Sequence, residues 1–204
     1  MPKLIDHEAR RDAYGEAVWR VIARDGLSAV SVRSVAAEAG VSAGSLRHLF
    51  PSRSDFLEYA LELSVERATQ RITARISLGG DPFDLAIDVL EELLPIDSER
   101  RHELLTQLAL VAAAAPGLAT IRMRAHREVY RCCVFVLERL ASGGLLPASP
   151  DPREHAATLH TILDGLALHL LEARAEDAAD EARAGLIRSL TLLGVRQPGV
   201  RQGE

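Results

Sequence analysis

The sequence predicts an all-α fold of about nine helices, and three observations carry that prediction. Apolar residues recur at three- and four-residue spacing along most of the chain, and no segment alternates as a half-buried strand would. Ser or Asp caps and Gly or Pro exits recur as helix starts and stops. Hydrophobic residues make up 48% of the 204 residues and aromatic ones only 4%, so the core must be built from Leu, Ala and Val.

A first amphipathic helix places Ala13, Ala17, Val18, Val21 and Ile22 on one face and stops at Asp25-Gly26. Ser31 caps a short helix that turns Val32 and Val35 inward. Ala36 is small enough for a close approach, and Gly40 can take the positive φ of a sharp exit. Ser42 caps a second short helix, with Val41 and Leu46 as the apolar contacts that hold the pair at an angle. Pro51 ends that helix, and Ser52 with Asp55 forms a capping box for the next.

That next helix runs from Ser52 to about Ser77, carries Leu57, Leu61 and Val65 on one face, and closes at Gly79-Gly80. Asp81-Pro82-Phe83-Asp84 opens a helix reaching about Leu94. Asp97 or Ser98 caps another that reaches Ala115, before Pro116-Gly117. A long helix then runs to about Ser142 and ends at Gly143-Gly144. Residues 145–152, with Pro147, Pro150 and Pro152, form a loop. Asp151-Pro152-Arg153-Glu154 then starts a helix with a capping box, and a last helix covers roughly 178–194. The tail with Pro198 and Gly199 is polar and expected to fray.

Two short helices around Gly40, over residues 31–50, have the layout of a helix-turn-helix. An ordinary αα-hairpin shares that layout; the preceding amphipathic helix and the Phe50-Pro51-Ser52-Arg53 exit favour the DNA-reading form. The outward side of the second helix keeps Ala43, Gly44, Ser45, Arg47 and His48, small or polar groups suited to base edges and phosphates. The run from Gly40 to Arg53 resembles the DNA-binding signature of the TetR family of transcriptional regulators, and the resemblance covers about residues 8–68. Members often carry Tyr-His-Tyr-Phe where this chain has Arg47-His48-Leu49-Phe50, a departure shared with a subgroup that includes the BetI-type repressors. An arginine at 47 in place of an aromatic group supplies a charged phosphate or guanine contact. The expected DNA contacts are Ser42, Ala43, Gly44, Ser45, Arg47, His48 and Arg53, with Arg33 at the backbone.

The net charge is −5, which suits a DNA binder only if it is unevenly spread. Residues 1–53 hold eight basic and six acidic groups, whereas residues 54–204 hold sixteen and twenty-three. The positive balance therefore sits on the reading head, and affinity should fall with salt. No apolar stretch is long enough to span a membrane, and no secretory signal opens the chain, so a cytoplasmic protein is expected.

The expected organisation is a helix-turn-helix domain over 8–68 and a helical regulatory and dimerisation domain over 69–196. The last two helices carry broad apolar stripes, with Leu159, Ile162, Leu163, Leu166, Leu170, Leu186, Leu190 and Leu193, which either finish the core or pair with a second copy. The resemblance implies pairing, as a four-helix bundle, and Gly165 would permit a close approach. A two-fold dimer doubles the contacts and reads a pseudo-palindromic operator in double-stranded DNA. The resemblance also implies a small-molecule effector in a cavity between the middle helices. The residues expected to face it are Leu61, Val65, Leu90, Leu104, Leu108, Val111, Met123, His126, Tyr130 and His160. With only Phe83, Tyr130 and Phe135 beyond Phe56 and Tyr59, a quaternary ammonium ligand lacks its aromatic cage, so an apolar or weakly polar effector is expected.

Other functions are weaker. No phosphate loop, nucleophile motif or metal set supports an enzyme or a cofactor. His160 and Asp164 are four apart and suit an internal pair better than a metal. Cys132 and Cys133 are too close for an unstrained disulfide and read as two helix thiols, one inward and one outward. The alternatives are a helical protein-interaction module and a redox- or metal-responsive regulator using Cys132 and Cys133.

Overall fold

The computed structural model describes residues 2–113, 116–147 and 151–197, and among them no strand occurs. Nine α-helices succeed one another: α1 Pro2–Asp25, α2 Val32–Glu38, α3 Ala43–Leu49, α4 Arg53–Leu78, α5 Pro82–Glu91, α6 Ser98–Ala112, α7 Ala119–Ser142, α8 Pro152–Leu170 and α9 Ala178–Leu192. Short 3-10 turns at Leu27–Ala29 and Pro116–Leu118 complete the described elements. Residues 148–150 of the proline loop, the expected helix end at Ala115 and the tail from Pro198 lie outside the described residues.

Local chemistry sets the helix ends. Ser31 accepts from the Ser34 amide, and the Ser34 hydroxyl accepts from the Ser31 amide, closing a capping box on α2. Ser52 and Asp55 do the same at α4, at 2.7 and 3.3 Å. Asp81 accepts from the Phe83 and Asp84 amides beside Pro82 in the first turn of α5. Asp151 accepts from the Arg153 amide at α8, with no capping bond from the Glu154 side chain. Helix α5 stops at Glu91, short of the expected Leu94, as the chain tightens into i→i+3 bonds from Leu93 and Leu94.

The chain forms two compact units. The first holds residues up to Arg67 together with His102–Ala125; the second holds Ala68–Arg101 and His126 onward. This differs from the expected cut near residue 68, because Leu110, Leu118 and Ile121 join the core of the first unit. That core is aromatic as well as aliphatic. Trp19 is buried and donates its indole N–H to the Ala60 carbonyl at 2.9 Å. Tyr14 meets Phe50 edge-on at 6.3 Å, and Phe50 leans on Tyr59 at 5.4 Å. Gly15 lets α1 and α4 approach; a Cβ there would stand 2.7 Å from Leu63. Ala13, expected on the inner face of α1, is exposed, and Tyr14 and Trp19 lie buried beside Ala17, Val18, Val21 and Ile22.

The second unit is mainly aliphatic, though it also buries Phe83. Helices α5 and α8 both pack on α9, burying Ile87, Val89, Leu90, Leu159, Leu186 and Leu190. Glu92 is 5% exposed and is ringed by Arg71, Arg75 and Arg100. Arg183 of α9 reaches Asp88 and Glu91 of α5 at 3.2 and 3.1 Å. Arg101 donates to the carbonyls of Leu170 and Leu171, closing the C-terminal end of α8.

Candidate nucleic-acid interface

The turn between α2 and α3 is fixed by backbone alone. Gly40 has φ +68°, its N–H donates to Ala37 O at 3.2 Å, and the Val41 N–H donates to Ala36 O at 2.9 Å. This is a Schellman exit, and it needs a residue that tolerates positive φ. Ser42 then starts α3, its hydroxyl accepting from the Ser45 amide at 3.1 Å. Leu46 is fully buried against the core, which pins the rotation of α3 about its axis. Pinning that one residue turns Gly44, Ser45, Arg47 and His48 to solvent.

Of the expected DNA contacts, Arg33, Ser42, Gly44, Ser45, Arg47 and His48 are exposed or half-exposed, and Ala43 is half-buried against the core. Arg53 is exposed and is also engaged within the protomer. Its guanidinium donates to Val30 O at 2.9 Å and Leu27 O at 2.6 Å, so two of its donor groups hold the turn before α2. The sequence offers no sign of this, since the partners lie 23 and 26 positions away. The arginines of α1 are likewise divided. Arg20 and Arg24 both donate to Glu38 at 2.7 Å, tying α1 to α2, and these bonds hold the Glu38 carboxyl below its usual range.

The residues expected at a ligand or a partner are distributed differently. Leu61 and Val65 are buried in the first unit and Leu90 in the second, while Leu104 and Leu108 are half-buried. Val111 and Met123 are 58% and 62% exposed. His126 is exposed and its ring lies 4.4 Å from that of buried His160, tilted by 35°. Burial lowers the His160 pKa, Asp164 opposes this from 3.8 Å, and His126 adds to it. Tyr130 is half-buried, its hydroxyl 3.5 Å from Arg153 O.

Leu159, Leu163, Leu170, Leu186 and Leu190 are buried within the protomer and Leu193 is nearly so, so these side chains complete its own core. That corrects their expected place in a seam with a second copy. Ile162 and Leu166 are half-buried, and Leu166 packs against Gly185, where a Cβ would stand 2.8 Å away. Within the protomer the glycine of close approach is Gly185, whereas a Cβ on Gly165 would meet nothing within 4 Å. Leu168 and Leu192 are the exposed large apolar groups of α8 and α9. Cys132 and Cys133 are both buried, not one in and one out. Burial pushes the Cys132 thiol up to about 12 and raises Cys133 as well, which removes thiolate character from both. Among the described residues no group of three His, Cys, Asp or Glu side chains is placed to hold a metal, and no helix is long and apolar enough to cross a membrane.

Residues 16–60 match the pattern of bacterial regulatory proteins of the tetR family, and residues 84–193 match the C-terminal domain of BetI-type transcriptional repressors. The chain is 33% identical over 171 residues to the HTH-type transcriptional regulator PksA of Bacillus subtilis (strain 168), covering 84% of this chain and 83% of that one. A transcriptional regulator from Saccharomonospora viridis, solved in complex with choline, superposes with a TM-score of 0.80 at 26% identity over 94% of this chain and all of its own. One from Rhodococcus sp. Rha1 gives 0.74 at 29% identity, over 90% and 95% of the two chains. The two patterns cover the helix-turn-helix and most of the C-terminal region, and the chain belongs to the TetR family of DNA-binding transcriptional regulators and is not an enzyme.

Proposed function

We propose that the protein is a cytoplasmic repressor that binds a pseudo-palindromic operator as a homodimer and is released by a small molecule. The observation that carries the reading is the outward face of α3, where Gly44, Ser45, Arg47 and His48 face solvent while Leu46 locks the opposite side. Small residues at the start of the helix let its backbone lie close to base edges, and Arg47 brings a planar donor fork for guanine or phosphate. Pairing through α8 and α9 is supported by exposed Leu168 and Leu192 and by the open space at Gly165, rather than by the buried leucines.

Binding to the promoter region of the chain's own gene, by gel shift and footprinting over a salt series, tests the reading. A protected two-fold site of two half-sites about one helical turn apart is expected. Arg47→Ala should weaken specific binding by ~1–3 kcal/mol if the arginine reads guanine. If it meets phosphate, the loss is the same on any sequence and the salt slope shrinks by about one. Unchanged affinity and slope would remove Arg47 from the interface.

The effector is proposed to be apolar or weakly polar, on the scarcity of aromatic groups in the second unit. The choline held by the Saccharomonospora viridis relative supports the opposing reading. Titration of the operator complex separates them: release by choline or betaine aldehyde, with none by apolar compounds, overturns the apolar effector.

A further inference from the structure

Arg11 lies outside the helix-turn-helix yet sits at its edge. Its guanidinium carbon is 4.6 Å from the centre of the Tyr59 ring and 5.7 Å from that of Phe50. Phe50 is the residue that directly succeeds α3 and is 2% exposed, so Arg11 covers the C-terminal end of the recognition helix from α1. The two rings stand 5.4 Å apart and form a fixed bed. Tyr59 is itself anchored, its hydroxyl donating to Asp12 at 2.6 Å. Asp12, the acid next in sequence, is thereby engaged with Tyr59. Among the described residues Arg11 makes no hydrogen bond and no ion pair, and it is exposed.

A guanidinium lying on a ring is held by its flat face and keeps its in-plane N–H groups for another partner. Those donors suit a phosphate. The position suits one as well. Seven residues of α3 rise about 10 Å, close to the major-groove width of about 12 Å. A cation just past the helix end therefore falls at the groove wall, where the backbone runs. Arg47 and His48, in the last turn of α3, are exposed on the same end.

Resting on the DNA-reading function above, we propose that Arg11 is a further DNA contact, a guanidinium held on the Tyr59 and Phe50 rings to grip a phosphodiester of the backbone flanking the bases read by α3. The rings are positioning residues: they hold the head so that the contact costs little side-chain entropy. The contact carries no base preference and adds to affinity on any duplex.

The test uses the full chain, a duplex that the wild-type protein selects from a random pool, and a scrambled duplex of the same composition. Fluorescence anisotropy is read over a salt series, with circular dichroism and thermal melting as fold controls. Arg11→Ala should lower affinity by a similar factor on both duplexes, about three- to tenfold at low salt, and flatten the salt slope by about 0.9 per bound copy. Arg11→Lys should keep the slope, since it keeps the charge. Adding Arg11→Ala to Tyr59→Leu should cost less than Arg11→Ala alone, because the leucine variant has already lost the bed that holds the guanidinium. Wild-type affinity and slope in Arg11→Ala, with Arg47→Ala impaired, overturn the phosphate contact and leave the DNA-reading function standing. A loss confined to the selected duplex, or a fall in melting temperature with the slope unchanged, also overturns it. Failure of the wild-type protein to select any duplex overturns the function and the contact together.

Discussion

The first unit is held by directional contacts, and the second by aliphatic packing around buried charge. Five of the chain's aromatic residues, Tyr14, Trp19, Phe50, Phe56 and Tyr59, stand in the first unit; Phe83, Tyr130 and Phe135 stand in the second. A ring edge or an indole hydrogen bond fixes an angle as well as a distance, whereas a contact between two leucines fixes little beyond separation. The difference matches the tasks. A helix proposed to present Ser45 and Arg47 to a groove needs a fixed orientation, and Leu46, Phe50 and Trp19 supply it. If the second unit is the one that answers to the proposed effector, it needs alternative packings of similar energy, and interchangeable leucines supply those.

The sharpest way to break the contrast is Trp19→Ala. It removes a buried ring and its bond to Ala60, and should cost about 3–5 kcal/mol by denaturant unfolding. If the first unit tolerated this as readily as a leucine truncation, directional packing would not be what holds it. Glu92→Gln attacks the second unit at its own speciality. It leaves Arg71, Arg75 and Arg100 facing one another around a neutral amide and should cost about 3 kcal/mol. A stability gain there would mean that the buried carboxylate is a burden the aliphatic core could replace.

A smaller effect compares the caps. Ser31→Ala and Asp81→Ala each remove a helix cap, one per unit, and each should cost about 1 kcal/mol. Only Ser31→Ala should also reduce DNA binding, because α2 fixes the turn into α3. The smallest effect is on pH. Burial lowers the pKa of His102 in the first unit and of His160 in the second. The unfolded chain takes up these protons near pH 6.5, before the folded one does. Stability is therefore fully present above that pH and falls as pH drops below it. Urea midpoints at high and low pH should lie closer together in His160→Gln, with His102 keeping the remainder, and a wild-type acid sensitivity in that variant would assign the effect elsewhere.

Sequence reading succeeded where the cause is local. The Ser52 box, the Ser31, Asp81 and Asp151 caps and the positive φ at Gly40 each depend on residues within a few positions. The outward face of α3 was legible for the same reason, since helical period alone turns Arg47 away from the side that Leu46 buries. The rest depends on what lies across the fold. Apolar stripes on α8 and α9 were plain, but a stripe does not say what covers it, and α5 covers much of the stripe on α9. The structural bonds of Arg53 to Val30 and Leu27 were invisible in the sequence, because such distant carbonyl partners leave no trace in spacing. The Glu92 ring and the Arg11 bed join helices far apart in sequence, and no motif announces either.

The first unit is discontinuous, with α1 to Arg67 closed by a segment more than thirty residues further on. Domain exchange between relatives is therefore not a matter of one junction. A chimera that imports residues 1–67 leaves Leu110, Leu118 and Ile121 behind, and those three were shaped to the head that was discarded. A transplant that carries α6 and the start of α7 along with the head keeps its own lining. Specificity in this chain is portable in two pieces.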